Sequence, residues 1–373
     1  MYHIIYPNKD SYIYEVKLND EYNFGADSNL VLKKDFDGSD GLNGVSRLLL
    51  QFDLTETSKS IVSGDITNPK FYLKLYEQKS SELSPEYNLK AYPLSSSWVE
   101  GSGYIDQNPN SRDGVSWFRR DETFSNTSWS LVDNTNADSG SRDVVGGGVW
   151  ITGSGYEASQ SFSYQSPDIN MNVTDIVNKW LGGSNQITNN GFIVKWSTLH
   201  ENSISKSGDI SYFSKEGHSV YSPQLEVRWD DHIACSGSNT GSLTQVDIGG
   251  TKDNYLYMIN LRNEYKDTET PKFRVGGRLR YPAKSTSTST STLSPLFIPE
   301  KSGSYSITDV ITGKTIVPFG EQSYLSCDST SNYFKQRLDG FITNRKYRIT
   351  LRLQTDDNKN MIFDNNFEFK VVG

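Results

Sequence analysis

The stretch Ser46–Leu54, SRLLLQFDL, decides how the chain is read. Leu48, Leu50, Phe52 and Leu54 fall on one side of an extended backbone, with Gln51 and Asp53 opposite. A period of two marks a strand with one face turned to a core. The pattern returns in KFYLKLY (Phe71, Leu73, Leu75), in GFIVKW (Phe192, Val194, Trp196) and in QLEVRW. In the last of these, Leu225, Val227 and Trp229 oppose a polar, wet face of Gln224, Glu226 and Arg228. Aromatic residues make up 12% of the chain although its mean hydropathy is only −0.60. Cores are therefore built from aromatic and β-branched residues, which suits sheets. Thirty glycines among many Ser, Asn and Asp supply the turns between strands.

One segment breaks the period. In NVTDIVNKWLGG, Val173, Ile176, Val177, Trp180 and Leu181 form a single helical stripe. Asn172 or Thr174 can cap its start, and Gly182-Gly183 can end it. The fold class expected is all-β. A jelly-roll-like β-sandwich with one short helix spans 1–232, a Gly/Ser-rich linker spans 233–250, and a second, smaller β-sandwich spans 251–373. In the second domain the strands are YLYMINL (Tyr255, Tyr257, Ile259 and Leu261 on one side), YRITLRL (Tyr347, Ile349, Leu351, Leu353) and FEFKVV (Phe367, Phe369, Val371). The low-complexity run STSTSTST, Ser285–Thr292, reads as an exposed loop or an edge strand.

The formal net charge is −8 with no basic cluster, which excludes a nucleic-acid partner. Cys235 and Cys327 lie far apart in sequence and read as free thiols rather than a disulfide framework or a zinc pair. No apolar run reaches membrane-spanning length, and the first residues have neither a basic nor an apolar leader segment. The expectation is a chain made in, and remaining in, a cytoplasm, with no membrane partner.

Ser214, Glu216 and His218 occupy alternate positions in one short stretch, but a catalytic triad needs residues that converge in space, with an oxyanion hole. A polar hairpin loop is the expected reading. DFDGSDG, Asp35–Gly41, has the carboxylates of a calcium loop. The EF-hand positions that require Gly and Glu are occupied here by Asp40 and Ser46, so a solvated turn is expected. His3, His200, His218 and His232 show no metal-ligand spacing, and no nucleotide-binding or hydrolase motif is present. No cofactor is expected. Arg274, Arg278 and Arg280 share one strand face, which reads as a solvated surface. Trp98, Trp117, Trp129 and Trp150 lie in polar, loop-like sequence and are the candidate ligand or partner contacts. Their rings can stack on a sugar or anchor long loops onto the sandwich, and the sequence leaves both readings open.

Seven segments in order carry a family resemblance. They are NFGADSNLVL (Asn23–Leu32), SRLLLQFDL, SSWVEGSG (Ser96–Gly103), GVSWF (Gly114–Phe118), NVTDIVNKWLGG, NNGFIVKW and FSKEGHSVYSPQLEVRW (Phe213–Trp229). Together they resemble the DNRLRE-type domain, a β-sandwich related to carbohydrate-binding modules. Ser222-Pro223 departs from that family's usual closing Arg-Pro. The resemblance implies a noncatalytic module, in which Ser214 and Glu216 are pattern positions rather than reactive groups. The C-terminal third, including KFRVGGRLRYPAKSTSTS and IFDNNFEFKVV, resembles the terminal domain of virion structural proteins of large, myovirus-like tailed phages. The function this implies is a virion structural component at the neck, collar or tail, assembled in the host cytoplasm with other virion proteins in a symmetric particle. The alternative is a noncatalytic carbohydrate-binding adhesin on a virion or cell surface.

Overall fold

In the computed structural model the described residues are all except 16–21, 36–43, 108–110, 123–126, 130–145, 183–184, 204, 250–252 and 282–295. The chain forms two compact units, one of Ile5–Asp65 and Lys70–Val227, the other of Met1–Ile4, Ile66–Pro69 and Arg228–Gly373. The fold is an all-β sandwich type with three short helices among the described residues.

The first unit has a five-stranded sheet in the order Ala158–Ser163, Glu86–Pro93, Phe192–Trp196, Ser46–Phe52, Pro7–Tyr14. A second layer contains the sheet Asn29–Lys34, Gly208–Phe213, Glu77–Ser81 and the strands Gln224–Arg228, Lys70–Leu75 and Ile169–Asn172. The alternating residues named from sequence, Leu48, Leu50, Phe52, Phe71, Leu73, Leu75, Phe192, Val194 and Trp196, are all at most 1% exposed. Helix α2, Thr174–Leu181, buries Ile176, Val177 and Trp180, and the Trp180 ring meets Phe192 edge-on at 4.5 Å. Asn172 Oδ1 accepts from the Thr174 amide at 3.1 Å.

Two features exceed the sequence reading. Helices α1, Thr55–Val62, and α3, Thr198–Glu201, are too polar to announce themselves by a stripe. The former begins where Asp53 Oδ1 takes both the Thr55 amide and hydroxyl, at 2.9 and 2.6 Å. Gln224 and Glu226, assigned above to a wet face, are instead buried. Lys74 Nζ pairs with Glu226 at 2.5 Å, so the charge is neutralised locally rather than hydrated.

Ser46–Phe52 is buried on both sides. On the second side, Leu49 belongs to a second core of Ile13, Val45, Leu49, Tyr92, Leu94, Trp98, Val115, Trp117, Trp129, Val149, Trp150 and Ile193. Leu94, Trp98, Val115, Trp117, Trp129, Val149 and Trp150 come from the loop layer that closes this core. Gly146, Gly147 and Gly148 all have positive φ, and a Cβ at Gly147 would lie 2.5 Å from Arg47 Nη1 and 2.8 Å from Trp117. Only glycine lets the chain pass there. Beneath it, Glu201 receives Arg47 Nη2 and Lys195 Nζ, each at 2.9 Å, and Arg47 Nη1 donates to Gly147 O at 2.6 Å. The Arg47 guanidinium lies 5.1 Å from the Trp117 ring centre and 5.0 Å from that of Trp150.

The second unit holds two sheets. One runs Thr244–Gln245, Leu296–Phe297, Lys272–Leu279, Asn332–Lys335, Ser326–Cys327, with Asn254–Ile259 beside Lys272–Leu279. The other runs Glu264–Lys266, Asn360–Val372, Lys346–Gln354, Gly303–Asp309, Thr315–Val317. Their core includes Phe273, Tyr305, Phe334, Ile349, Leu351 and Phe369, together with Tyr2 from the other end of the chain. Gln336 Nε2 donates to Tyr2 O at 2.7 Å, and His3 Nδ1 lies 3.0 Å from Asp339. In Asn254–Ile259 the inward residue is Leu256, whereas Tyr255 and Tyr257 are half-buried, which reverses the face expected from their size. The cation of Arg278 lies 4.8 Å from the Tyr255 ring centre, which accounts for an outward tyrosine. The stretch 233–250 carries the short helical turn Gly237–Thr240 and a fully buried Val246. Cys235 and Cys327 are free and share a small cluster with Phe297. Ser285–Thr292 lies outside the described residues.

Glu201 offers a direct test of the second core. Glu201→Gln removes the carboxylate that Arg47 and Lys195 share at depth and is expected to cost about 3–5 kcal/mol. Urea unfolding followed by tryptophan fluorescence reads this unit, since six of the seven tryptophans lie in it. A loss below about 1 kcal/mol would show that the charges are hydrated instead.

Candidate functional site

The side chains marked out by sequence reactivity do not assemble into a site. Ser214 is fully buried, its hydroxyl donates to Asp27 O at 2.6 Å, and it accepts from the Glu216 amide at 3.2 Å. It caps the turn Lys215–Gly217, which ends at an exposed His218 with φ of 47°. Asp35 of the carboxylate-rich turn accepts from the Tyr14 hydroxyl at 2.7 Å, and the rest of Asp35–Gly41 lies outside the described residues apart from Asp35 itself. The histidines are dispersed, with His232 on Glu300 at 2.7 Å and His200 stacked on Trp196. No metal-holding group of three His, Cys, Asp or Glu occurs among the described residues. Arg274 pairs with Asp328 at 3.0 Å and Arg280 with Asp253 at 3.5 Å, on a solvated strand face.

Trp98, Trp117, Trp129 and Trp150 are each 2–3% exposed. Their burial fits loop anchoring. Trp98 Nε1 donates to Asn190 O at 3.0 Å and Trp129 Nε1 to Ser116 O at 3.1 Å, so the polar edges of these two rings serve the fold as well.

The open aromatic surface lies elsewhere. On Asn29–Lys34 and Gly208–Phe213 the inward residues are Leu30, Leu32, Ile210 and Tyr212, so the alternate residues Asn29, Val31, Lys33, Asp209 and Ser211 face outward. Antiparallel register sets Asp209 opposite Lys33 and Ser211 opposite Val31. This face floors a pocket of about 580 Å³, which Tyr12, Tyr14, Tyr22, Phe24, Tyr104 and Ile105 wall. Tyr12 and Phe24 stack at 4.3 Å in its depth, whereas Tyr104 and Ile105 stand 50% and 54% exposed at its rim. Asp27 joins the parts, accepting from the Tyr12 hydroxyl and the Ile105 amide, both at 3.2 Å.

The rim is held by Asn23. Its Nδ2 donates to Glu100 O at 2.6 Å and Val115 O at 2.9 Å, while its Oδ1 accepts from Gly25 N at 3.1 Å and Gly103 N at 2.8 Å. Four bonds saturate one buried amide. A Cβ on Gly25 would meet Glu100 O at 2.2 Å, so NFG and EGSG can only close on one another as glycine-bearing segments. Two family-like motifs far apart in sequence thus form a single bracket around the pocket mouth. Neither the tyrosines nor this convergence was legible from composition, in a chain with 22 tyrosines.

A carboxylate relay braces the same loop. Glu100 Oε1 accepts from Asp10 N at 2.7 Å, Asp10 Oδ2 accepts from Lys215 N at 2.8 Å, and Lys215 Nζ lies 3.1 Å from Glu100. Burial pushes the Asp10 carboxyl up to about 7, against the Lys215 amide that favours its charge. The folded chain then keeps a proton that the unfolded chain has released above about pH 4. Asp10's contribution to stability therefore falls as pH rises from about 4 to about 7. Asp10→Asn should gain on the wild type across that interval, by roughly 4 kcal/mol at most, in urea unfolding at pH 4.5 and pH 8. A constant difference between the two proteins would show that Asp10 ionises normally.

The family model for carbohydrate-binding module family 96 matches residues 2–137. The crystal structure of the adhesin domain of Epf from Streptococcus pyogenes aligns over 99% of both chains at 7% identity with a TM-score of 0.17, too low to bear on fold or function. No curated protein sequence matches the chain. Every pocket residue except Asp209 and Ser211 falls within the matched segment. Over residues 2–137 the chain is similar to a carbohydrate-binding module, and that segment lies in a β-sandwich.

Proposed function

We propose that the chain is a noncatalytic carbohydrate-binding protein, an adhesin, and that a saccharide occupies the pocket between Asn29–Lys34, Gly208–Phe213 and the Tyr104 rim. The observation that carries this reading is an aromatic-walled pocket whose lining, apart from Asp209 and Ser211, falls in the segment similar to a carbohydrate-binding module. Sugar rings offer axial C–H groups to aromatic faces and hydroxyls to amides and carboxylates, and the pocket supplies both kinds of surface. Tyr104 is the half-exposed ring that meets the ligand first, and Asn29, Ser211 and Asp209 orient it. The buried tryptophans act indirectly, by holding the loop layer in place.

Display on the outside of a virion or a cell belongs to the same proposal, since an adhesin works with its pocket facing outward. Assembly at a phage neck, collar or tail has the resemblance of the C-terminal third behind it, and nothing in the pocket depends on it.

Removing the rim ring should weaken binding without unfolding the protein. Tyr104→Ala is expected to reduce affinity for a captured glycan about three- to tenfold, the worth of one aromatic contact. A glycan array followed by calorimetry checks this. Unchanged affinity in Tyr104→Ala, or an array with no captured glycan, would remove the pocket from the account.

A further inference from the structure

Two side chains with no part in the pocket lie together in the second unit. Cys235 and Cys327 are both free, 4% and 1% exposed, and pack with Phe297 in one small cluster. Hydrogen bonds fix the backbone around both. Cys327 N donates to Ile233 O at 3.3 Å, Ile233 N to Ser326 Oγ at 3.0 Å and Cys235 N to Glu300 Oε2 at 2.6 Å. Asn332 is the register partner of Cys327 in the antiparallel pair of Ser326–Cys327 with Asn332–Lys335, and its Nδ2 donates to Cys235 Sγ at 3.3 Å. The Cys235 thiol donates to Leu325 O at 3.3 Å and also lies within hydrogen-bonding reach of the Cys327 sulfur. Segments far apart in sequence therefore present neighbouring sulfurs. The contact between them holds the Cys327 thiol below its ordinary pKa and pushes the Cys235 thiol up, so Cys327 ionises first.

We infer that Cys235 and Cys327 are a redox-modification site, closing to a disulfide in an oxidising environment and reopening in a reducing one. A disulfide forms only where two backbones already lie within bonding reach. The hydrogen bonds that seat 233–235 against 325–327 supply that reach before any covalent bond exists. The oxidant is a low-molecular-weight disulfide. The Cys327 thiolate attacks one of its sulfurs, expels one small thiol and leaves a mixed disulfide. The Cys235 sulfur then displaces the second small thiol. The chain loses two electrons and two protons, and the small disulfide gains them as two thiols. The new bond closes a loop of about 90 residues, which restricts the unfolded chain. Disulfides persist outside the reducing cytoplasm, so a chain displayed on a virion or cell carries the closed form.

Both sulfurs are buried, so exchange proceeds through brief opening of the cluster. The test holds the full chain to equilibrium in mixtures of oxidised and reduced glutathione, without denaturant. Samples are quenched in acid, alkylated with N-ethylmaleimide and digested for mass spectrometry. In oxidising mixtures the intact chain should be two hydrogens lighter, with one cross-linked peptide joining Cys235 to Cys327. It should carry no glutathione and no second chain, and dithiothreitol should reverse the change. In scanning calorimetry the oxidised chain's second unit should unfold about 5–10 °C higher than the reduced chain's. Cys235→Ser and Cys327→Ser should each abolish that shift, and the wild-type comparison stands on its own if either variant fails to fold. Two alkylated thiols in the most oxidising mixture, separate glutathione adducts on the two cysteines, or cross-links between chains would overturn the inference. A disulfide that forms only in urea, or one that fails to raise the unfolding temperature, would overturn it as well, because the folded geometry would then oppose the bond.

Discussion

The first sandwich depends on a carboxylate held between two cations under a layer of tryptophans. Glu201 is 5% exposed in its side chain and is touched by Arg47 and Lys195, whose side chains are themselves 11% and 2% exposed. Burial works against its charge, and the two adjacent cations outweigh burial, so the carboxyl is held below the usual range. Arg47 reaches further, to Gly147 O and to the faces of Trp117 and Trp150. One side chain therefore ties helix α3, a central strand and the glycine-rich loop together. Charges this deep add little net stability compared with apolar packing, but each requires the others to be in place.

That constraint explains how a sheet face normally left to solvent carries a second core. Leu49 and Ile193 point away from the main core, and loop tryptophans cover them. With those loops anchored, the segment Ser96–Gly103 is carried to Asn23, and the Asn23 amide closes the bracket that positions Tyr104 above the outward strands. The pocket is thus a product of loop order imposed from beneath. A fault in the buried charges would reach the pocket without touching any lining residue.

Much of this architecture was legible in the sequence, because strand periodicity is a local property. Phe71, Leu73 and Leu75, or Ile349, Leu351 and Leu353, need only alternate to declare their face. The helix stripe ending at Trp180 was equally plain. Periodicity misleads where both faces are buried, as at Glu226, because a polar residue with a buried partner reads the same as a hydrated one. It misleads again at Tyr255, whose ring lies against the Arg278 guanidinium, and at Tyr257 stacked beside it. The pocket was hidden for a different reason. Tyr12, Asp27, Tyr104 and Asp209 come from separate segments, and only register and the Asn23 bracket bring them together. The motifs NFG and EGSG were visible as a resemblance, but their role as two halves of one clasp required the fold.

The central claim is that the loop tryptophans lie inside and that tyrosine, at a separate face, supplies the ring open to a ligand. Hydroxyl-radical footprinting of the free protein with peptide mass spectrometry tests it directly. The account predicts rapid oxidation of Tyr104 with Trp98, Trp117, Trp129 and Trp150 strongly protected. Oxidation of those four tryptophans at rates near that of free tryptophan, with Tyr104 protected, would contradict it.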